Sequence, residues 1–234
     1  MLYTIGYASK SIEEFLECLK LYNINCIVDI RTVPYSKQFP EYDANKINSI
    51  LKKHNIYYVP FGQHFGARRS ELEAYEKVKD YNGNLKEIVI FKNVYNLSTF
   101  QKGYERIKIG LKKNLKICFM CSEKNPFACH RSIMVSQFFY MNKFEIQHII
   151  DKNENYSHNV IIEELKLNFY KMKKEFKEKN INIFMYGNSL LSQYDGDIDN
   201  INIWSSFFET YTEEKGVYLR NLQIGYVKGD EDYE

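Results

Sequence analysis

Between positions 121 and 131 the chain reads Cys-Ser-Glu-Lys-Asn-Pro-Phe-Ala-Cys-His-Arg, so two thiols, a carboxylate, an imidazole and a guanidinium stand within one short segment. Cys121 follows the apolar run Lys116-Ile-Cys-Phe-Met120, which reads as a buried strand. Cys129, His130 and Arg131 open the helical pattern that follows. Free backbone N–H groups and the dipole at a helix start favour anions and promote the thiolate, the form in which cysteine is a nucleophile. Cys121 and Cys129 are therefore the candidate thiol catalysts, and Glu123 and His130 the candidate acid–base groups. Cys118, inside the strand, reads as small core filler.

Other spacings suggest other chemistries. Cys121, Cys129 and His130 are ligands of the type that zinc or iron accepts. No HxxxH accompanies them, adjacent Cys129 and His130 rarely face one ion from a helix start, and a fourth ligand has to come from His64 or Glu123. A metal is the less favoured reading, and no residue is assigned as a metal ligand. A phosphatase cradle needs a thiolate and an arginine joined by a short loop of donors. Nine residues separate Cys121 from Arg131, and Cys129 lies only two before it. A general anion-binding site fits the segment better.

The elements that must position these groups alternate. Residues 2–6 read as a strand. Ser11 caps a helix whose apolar positions are 12, 15, 16 and 19, with Glu14 completing a capping box. A strand at 25–30, a proline-bearing loop, a helix at 44–54 and a strand at 56–60 follow. Residues 61–70 read as a glycine-containing loop, then come helices at about 97–112 and from the CHR segment to Tyr140, and a strand at 145–150. This pattern predicts an α/β fold: a mostly parallel sheet with helices on both faces in a Rossmann-like or flavodoxin-like layering. Residues 1–155 form the expected core domain. Residues 156–234 form a small C-terminal α+β extension packed on it, with an acidic tail at about 228–234.

Ligands of open α/β sheets bind outside the carboxyl ends of the strands. The polar residues following each expected strand are thus candidates for substrate binding: Gly6, Tyr7 and Ser9; Asp29, Arg31 and Ser36; His64, Arg68 and Arg69; and Arg131. Only six of the 32 basic residues are arginine, and four of those six lie in these segments, where a guanidinium fork suits carboxylate or phosphate. The Asp29–Arg31 pair also reads as a structural ion pair at a strand end. His148, in an apolar strand, reads as a satisfied core residue, and His54 and His158 have no special context.

Bulk properties narrow the class. A content of 44% hydrophobic and 16% aromatic residues suits a packed globular protein, and a net charge of +2 argues for neither a nucleic-acid nor a membrane partner. The lysine-rich helix at about 159–179 carries enough glutamate to read as a solvated face, so nucleic-acid binding is the weakest reading. No apolar run is long enough to span a membrane, and five irregularly spaced cysteines suggest free thiols. A cytoplasmic protein is expected, and its oligomeric state is left open.

The motifs, in order, resemble those of the domain-of-unknown-function family 488: a TIGHS start, a VDVRxxPxS segment, a glycine-arginine loop and an LMCxExxPxxCHR segment. The matches are Thr4-Ile-Gly-Tyr-Ala-Ser9, Val28-Asp-Ile-Arg-Thr-Val-Pro-Tyr-Ser36, Phe65-Gly-Ala-Arg-Arg69 and Phe119-Met-Cys-Ser-Glu-Lys-Asn-Pro-Phe-Ala-Cys-His-Arg131. The likeness is strong over residues 1–150, and Ile224-Gly-Tyr226 also looks like family ends. Where the family has the TIGH histidine this chain has Tyr7, so a phenol replaces an imidazole. The resemblance implies a fold and a site without naming a reaction.

Taken together these features lead to the expectation of an enzyme or binding protein for a small anionic ligand, a nucleotide or phosphorylated metabolite, using a Cys/Glu/His/Arg site at the strand ends. The alternatives are a non-catalytic metal- or redox-sensing module and, last, a nucleic-acid-associated factor.

Overall fold

The structure is a computed structural model that describes residues 1–79, 85–163, 182–186, 207–212 and 216–219. The chain opens with strand β1 (Leu2–Gly6), and Ser11 then caps helix α1 (Ile12–Leu21). The Ser11 hydroxyl accepts from the Glu14 amide while the Glu14 carboxylate accepts from the Ser11 amide, the reciprocal box its spacing predicts. Strand β2 (Cys26–Asp29), helix α2 (Ala44–Lys53) and strand β3 (Tyr57–Pro60) follow. Within the stretch expected to be a loop, Gly62–Phe65 winds into a short helix, α3. The pattern before residue 97 hides an antiparallel hairpin, β4 (Tyr75–Lys79) with β5 (Leu85–Val89), and a helix, α4 (Phe91–Asn96). Helix α5 (Ser98–Lys112) then leads to strand β6 (Ile117–Cys121). A π-helical turn over Arg131–Ser136 runs into α6 (Gln137–Met141), and strands β7 (Ile146–Ile149) and β8 (Asn155–Ser157) come next.

Six of these strands form one sheet in the order β3-β2-β6-β1-β7-β8, parallel throughout except for β8. Alternation along β6 shows helices on both faces. Cys118 and Met120 pack into a cluster with Phe15, Leu19, Ile47 and Leu51 from α1 and α2. Phe119, between them, points the other way and meets Phe65 of α3 and Phe139 of α6 at centroid distances of 5.8 and 5.3 Å. Phe65 in turn contacts Phe100 of α5. The fold is the expected α/β layering. Because β6 lies between β1 and β2 while its flanking helices cover the opposite face, its carboxyl end is a topological switch point, the place at which open α/β sheets bind ligands.

The chain separates into two compact units, residues 1–67 with 98–161, and residues 68–97 with 162–233. The six-stranded sheet belongs to the first. The second contains the β4–β5 hairpin, α4 and a three-stranded antiparallel sheet of β9 (Asn182–Tyr186), β10 (Phe207–Thr212) and β11 (Gly216–Leu219). Most of the expected extension, its helix beyond residue 163, the Ile224-Gly-Tyr226 match and the acidic tail lie outside the described residues. Among the described residues no helix is long and apolar enough to cross a membrane.

Beneath this sheet runs a buried histidine chain. His148 Nδ1 lies 2.8 Å from the Thr4 hydroxyl and 3.3 Å from that of Ser132, His148 Nε2 is 2.9 Å from His158 Nδ1, and His158 Nε2 is 3.0 Å from Gln137 Oε1. His148 is the satisfied core residue its strand context predicts, and His158, contextless in sequence, is its partner. Burial holds both imidazoles neutral, His148 well below its ordinary value and His158 down to about 3; His158 and the Arg131 charge further disfavour a proton on His148. In the unfolded chain both bind protons near pH 6.5, so the unfolded state is the better proton acceptor below that pH. Both histidines thus make stability fall as pH drops below about 6.5, His158 by about 1.4 kcal/mol per pH unit down to about pH 3. Urea unfolding across this range checks it. His158→Gln should flatten the slope, and an unchanged slope would remove the histidines from the explanation.

Candidate active site at the carboxyl edge of the sheet

The expected chemistry converges at the end of β6. Cys121 is its last residue, paired in register with Gly6 of β1, and Asp29 of β2 pairs with the neighbouring Met120. The chain then returns through the 122–130 loop, where Asn125 caps a tight turn by accepting from the Phe127 amide, and delivers Cys129 and His130 back beside Cys121. Candidate ligand atoms of Cys121, Glu123, Cys129 and His130 all lie within 4.8 Å of one another. Cys121 Sγ is 3.4 Å from Glu123 Oε2 and 3.8 Å from His130 Nδ1, and Cys129 Sγ accepts from the Arg131 amide at 3.4 Å. Cys129 and His130 do face one point, contrary to what their adjacency in sequence suggests, because the π-helical turn beginning at Arg131 and the extended backbone of Cys129 (φ −100°, ψ 138°) rotate the two side chains to the same side.

These groups are buried except for Glu123, which is exposed as a residue although its carboxylate reaches the thiol. Their electrostatics are mutual. The Cys129 thiol, donating to Cys121, holds Cys121 well below its ordinary value against the opposing effect of burial, helped by His130 and Arg131. Burial and the neighbouring Cys121 push Cys129 well up. Burial works against charge on His130, but Cys121 and Glu123 lift it to about 8. Desolvation and Cys121 raise Glu123 to about 7. His130 Nε2 donates to the Ile30 carbonyl at 3.3 Å, which fixes the ring and aims Nδ1 at Cys121.

Gly6 and Arg131 build the frame. A Cβ on Gly6 would overlap the Glu123 carbonyl oxygen. The wholly buried Arg131 donates from Nη1 to the Glu123 carbonyl at 2.6 Å and from Nη2 to the Lys124 carbonyl at 3.0 Å. The Tyr7 and Ala8 amides donate to the Cys121 and Ser122 carbonyls, so the loop is sewn to the end of β1.

Beside this frame stands a second network. Asp29 and Arg31 form a buried ion pair at 2.6 Å, with the Tyr58 hydroxyl donating to Asp29 at 2.7 Å. Arg31 also donates to the Tyr7 hydroxyl and the Tyr42 carbonyl. Burial opposes the Arg31 charge, yet Asp29 and Tyr7 more than offset it and raise its pKa further. Tyr7, at the position of the family histidine, stacks on Tyr42 with centroids 4.2 Å apart. Tyr42 and Tyr58 carried no mark in the sequence; only the tertiary fold reveals their part.

The remaining candidates separate. Ser36 stabilises a turn, its amide donating to Asp43 and its hydroxyl accepting from the Phe39 amide, and it stays beside the second network through a side-chain hydrogen bond with Tyr7. His64 turns to α5, with Nδ1 2.8 Å from the Thr99 carbonyl oxygen and Nε2 2.8 Å from Arg106 Nη1. Arg68 and Arg69 belong to the second unit, where Arg69 pairs with Glu71 at 2.6 Å. Ser9, at φ 69°, lines a cleft of about 250 Å³ together with Lys10, Lys124 and Asp151. Lys10 is absent from the candidates that sequence suggests, since nothing but burial distinguishes it among 26 lysines.

A family model, the domain of unknown function DUF488, matches residues 11–138, more than half of the chain. The chain belongs to the DUF488 family. The match takes in β2, β6 and the Cys121–Arg131 segment, so the whole thiol, carboxylate and imidazole cluster is part of the DUF488 region. No curated protein and no solved structure shows a significant match to the chain.

Proposed function

We propose that the protein is an enzyme acting on a small anionic substrate at the carboxyl edge of its sheet. The observation that carries this reading is Lys10. It is only 7% exposed, its ammonium has no hydrogen-bond or ion-pair partner among the described residues, and it lines the cleft after β1 and β7. Lys124, from the loop that carries Glu123, lines the same cleft. Acidic residues also border it, but each has an internal partner: Glu14 accepts from the Ser11 amide, Glu17 faces Lys152 at 4.0 Å, and Asp151 accepts from the Asn153 and Glu154 amides. Burial disfavours the charge on Lys10 against the attraction of Asp151 across the cleft, and an anionic ligand beside the ammonium would strengthen that charge.

Arg31 and Arg131, expected from sequence to clamp the anion, are engaged by Asp29, Tyr7, Tyr42 and the loop carbonyls, which leaves the anchoring to Lys10. The cleft is smaller than the roughly 300–1,000 Å³ of drug-sized sites, which favours a compact phosphate- or carboxylate-bearing molecule over a dinucleotide. In this reading Glu123, the solvent-facing member of the cluster, moves protons to and from the substrate, and His130 and the thiols hold charge behind it.

Calorimetric titration with inorganic phosphate, pyrophosphate and small dicarboxylates tests the proposal. One of these should bind wild type, and Lys10→Met should weaken it about 10- to 100-fold, the worth of a charged hydrogen bond. Binding unchanged in Lys10→Met, or no anion bound by wild type, would sink the idea. A non-catalytic thiol sensor is the second reading, supported by the paired buried Cys121 and Cys129; it predicts a response to metal or oxidant without turnover.

A further inference from the structure

We infer that Cys121, Cys129 and His130, with Glu123 as an exchangeable fourth ligand, form a binding site for a zinc-class divalent ion. Zinc bonds of roughly 2.0–2.3 Å at tetrahedral angles put neighbouring ligand atoms about 3.3–3.8 Å apart. The Cys121–Glu123 and Cys121–His130 separations are 3.4 and 3.8 Å, and the whole set lies within 4.8 Å. Two thiolates and an imidazole suit zinc or iron(II) and exclude a magnesium- or calcium-type site.

The surroundings are those of a metal centre as well. His130 donates its far nitrogen to the Ile30 carbonyl, which leaves the Nδ1 lone pair facing the thiols, the arrangement that orients a metal-bound imidazole. Cys129 Sγ accepts a backbone N–H from Arg131, as a coordinated thiolate does. Two thiolates and a carboxylate on a dipositive ion leave one negative charge in a buried place. The adjacent guanidinium of Arg131, wholly buried, balances it. Both thiols bind as thiolates and His130 as the neutral imidazole, so the protons that Cys129 and His130 carry pass to solvent and binding tightens as pH rises.

Glu123 differs from the other three in being exposed. It can leave the ion to a water molecule while staying within reach of that water. Cys121, Cys129 and His130 then form a Cys₂His set with an open fourth position, and Glu123 becomes the proton acceptor for the water. The inference deepens the proposed enzyme reading by naming the cofactor of the same site, but metal content and anion binding are separate measurements.

Full-length protein produced with zinc and dialysed should carry stoichiometric zinc by elemental analysis. Cobalt(II) in its place should show the thiolate-to-metal charge-transfer and strong visible bands of a tetrahedral site. Cys129→Ser and His130→Ala should abolish both signals, Cys26→Ser should leave them intact, and Glu123→Gln should keep the charge-transfer band while weakening affinity about 10- to 100-fold. In wild type, where no folding defect intervenes, zinc should protect Cys121 and Cys129 from alkylation and a chelator should expose them. Substoichiometric zinc, with equal alkylation in the presence and absence of chelator, would overturn the metal site. Zinc retained while no anion binds would instead overturn the proposed substrate class, and anion binding without zinc would overturn the metal site alone.

Discussion

Gly6→Ala is expected to destabilise the sheet-bearing unit by about 3 kcal/mol or more, the upper end of what forced overpacking costs. The new methyl group would overlap the Glu123 carbonyl oxygen and meet Arg131 Nη1 at 3.1 Å. Neither obstacle can yield cheaply. The Glu123 carbonyl is held by Arg131 at 2.6 Å, the loop before it is tied to the Tyr7 and Ala8 amides, and Gly6 itself lies in register with Cys121. Gly110→Ala in α5 is the matched control. Its methyl would meet only side-chain ends, Ile117 at 3.0 Å and Leu115 at 3.5 Å, and helix propensity favours alanine by about 1 kcal/mol. Urea midpoints of the two variants should move in opposite directions. A Gly6→Ala protein as stable as wild type would mean that the close approach of β1 to the loop is not required.

Arg131→Met carries the second large effect, a loss of about 3–5 kcal/mol, the range for removing one partner of a buried charged network. Arg131 has no exposed surface and joins two consecutive carbonyls that would otherwise be buried without donors. Lysine should recover only part of the loss, because an ammonium cannot reproduce the fork that spans both oxygens. Hydrogen exchange supplies the local readout: the Tyr7 and Ala8 amides, bonded to the Cys121 and Ser122 carbonyls, should exchange faster in Arg131→Met. If Arg131→Lys matched wild type in stability and exchange, the bidentate grip would carry no weight. The same result would leave Arg131 available to a ligand.

Much of the site is legible in the sequence. Thiol, imidazole and carboxylate types clustered in one segment, and their place after a strand, point to the end of β6, where the structure gathers them. Other parts are hidden for physical reasons. The β4–β5 hairpin carries lysines and glutamates in short strands and lacks the continuous apolar run that marks a buried parallel strand. His64 and Ser36 look like ligand-binding residues in a loop, yet α5 and Asp43 engage them. Adjacent Cys129 and His130 are expected to diverge, and the local backbone brings them together.

Local sequence by itself determined the elements with short-range codes: the Ser11–Glu14 capping box, the apolar strands and their alternation with helices, and the residue types gathered at the end of β6. The tertiary structure alone decided which of those residues meet. Placing β6 between β1 and β2 brings Gly6 against the Glu123 carbonyl, and Ile30 under His130 across 100 positions of chain. It also sets Lys10 at the wall of the cleft while supplying hydrogen-bond partners to each candidate arginine of the sheet-bearing unit. Pairing and burial depend on contacts distant in sequence, and no local spacing encodes them.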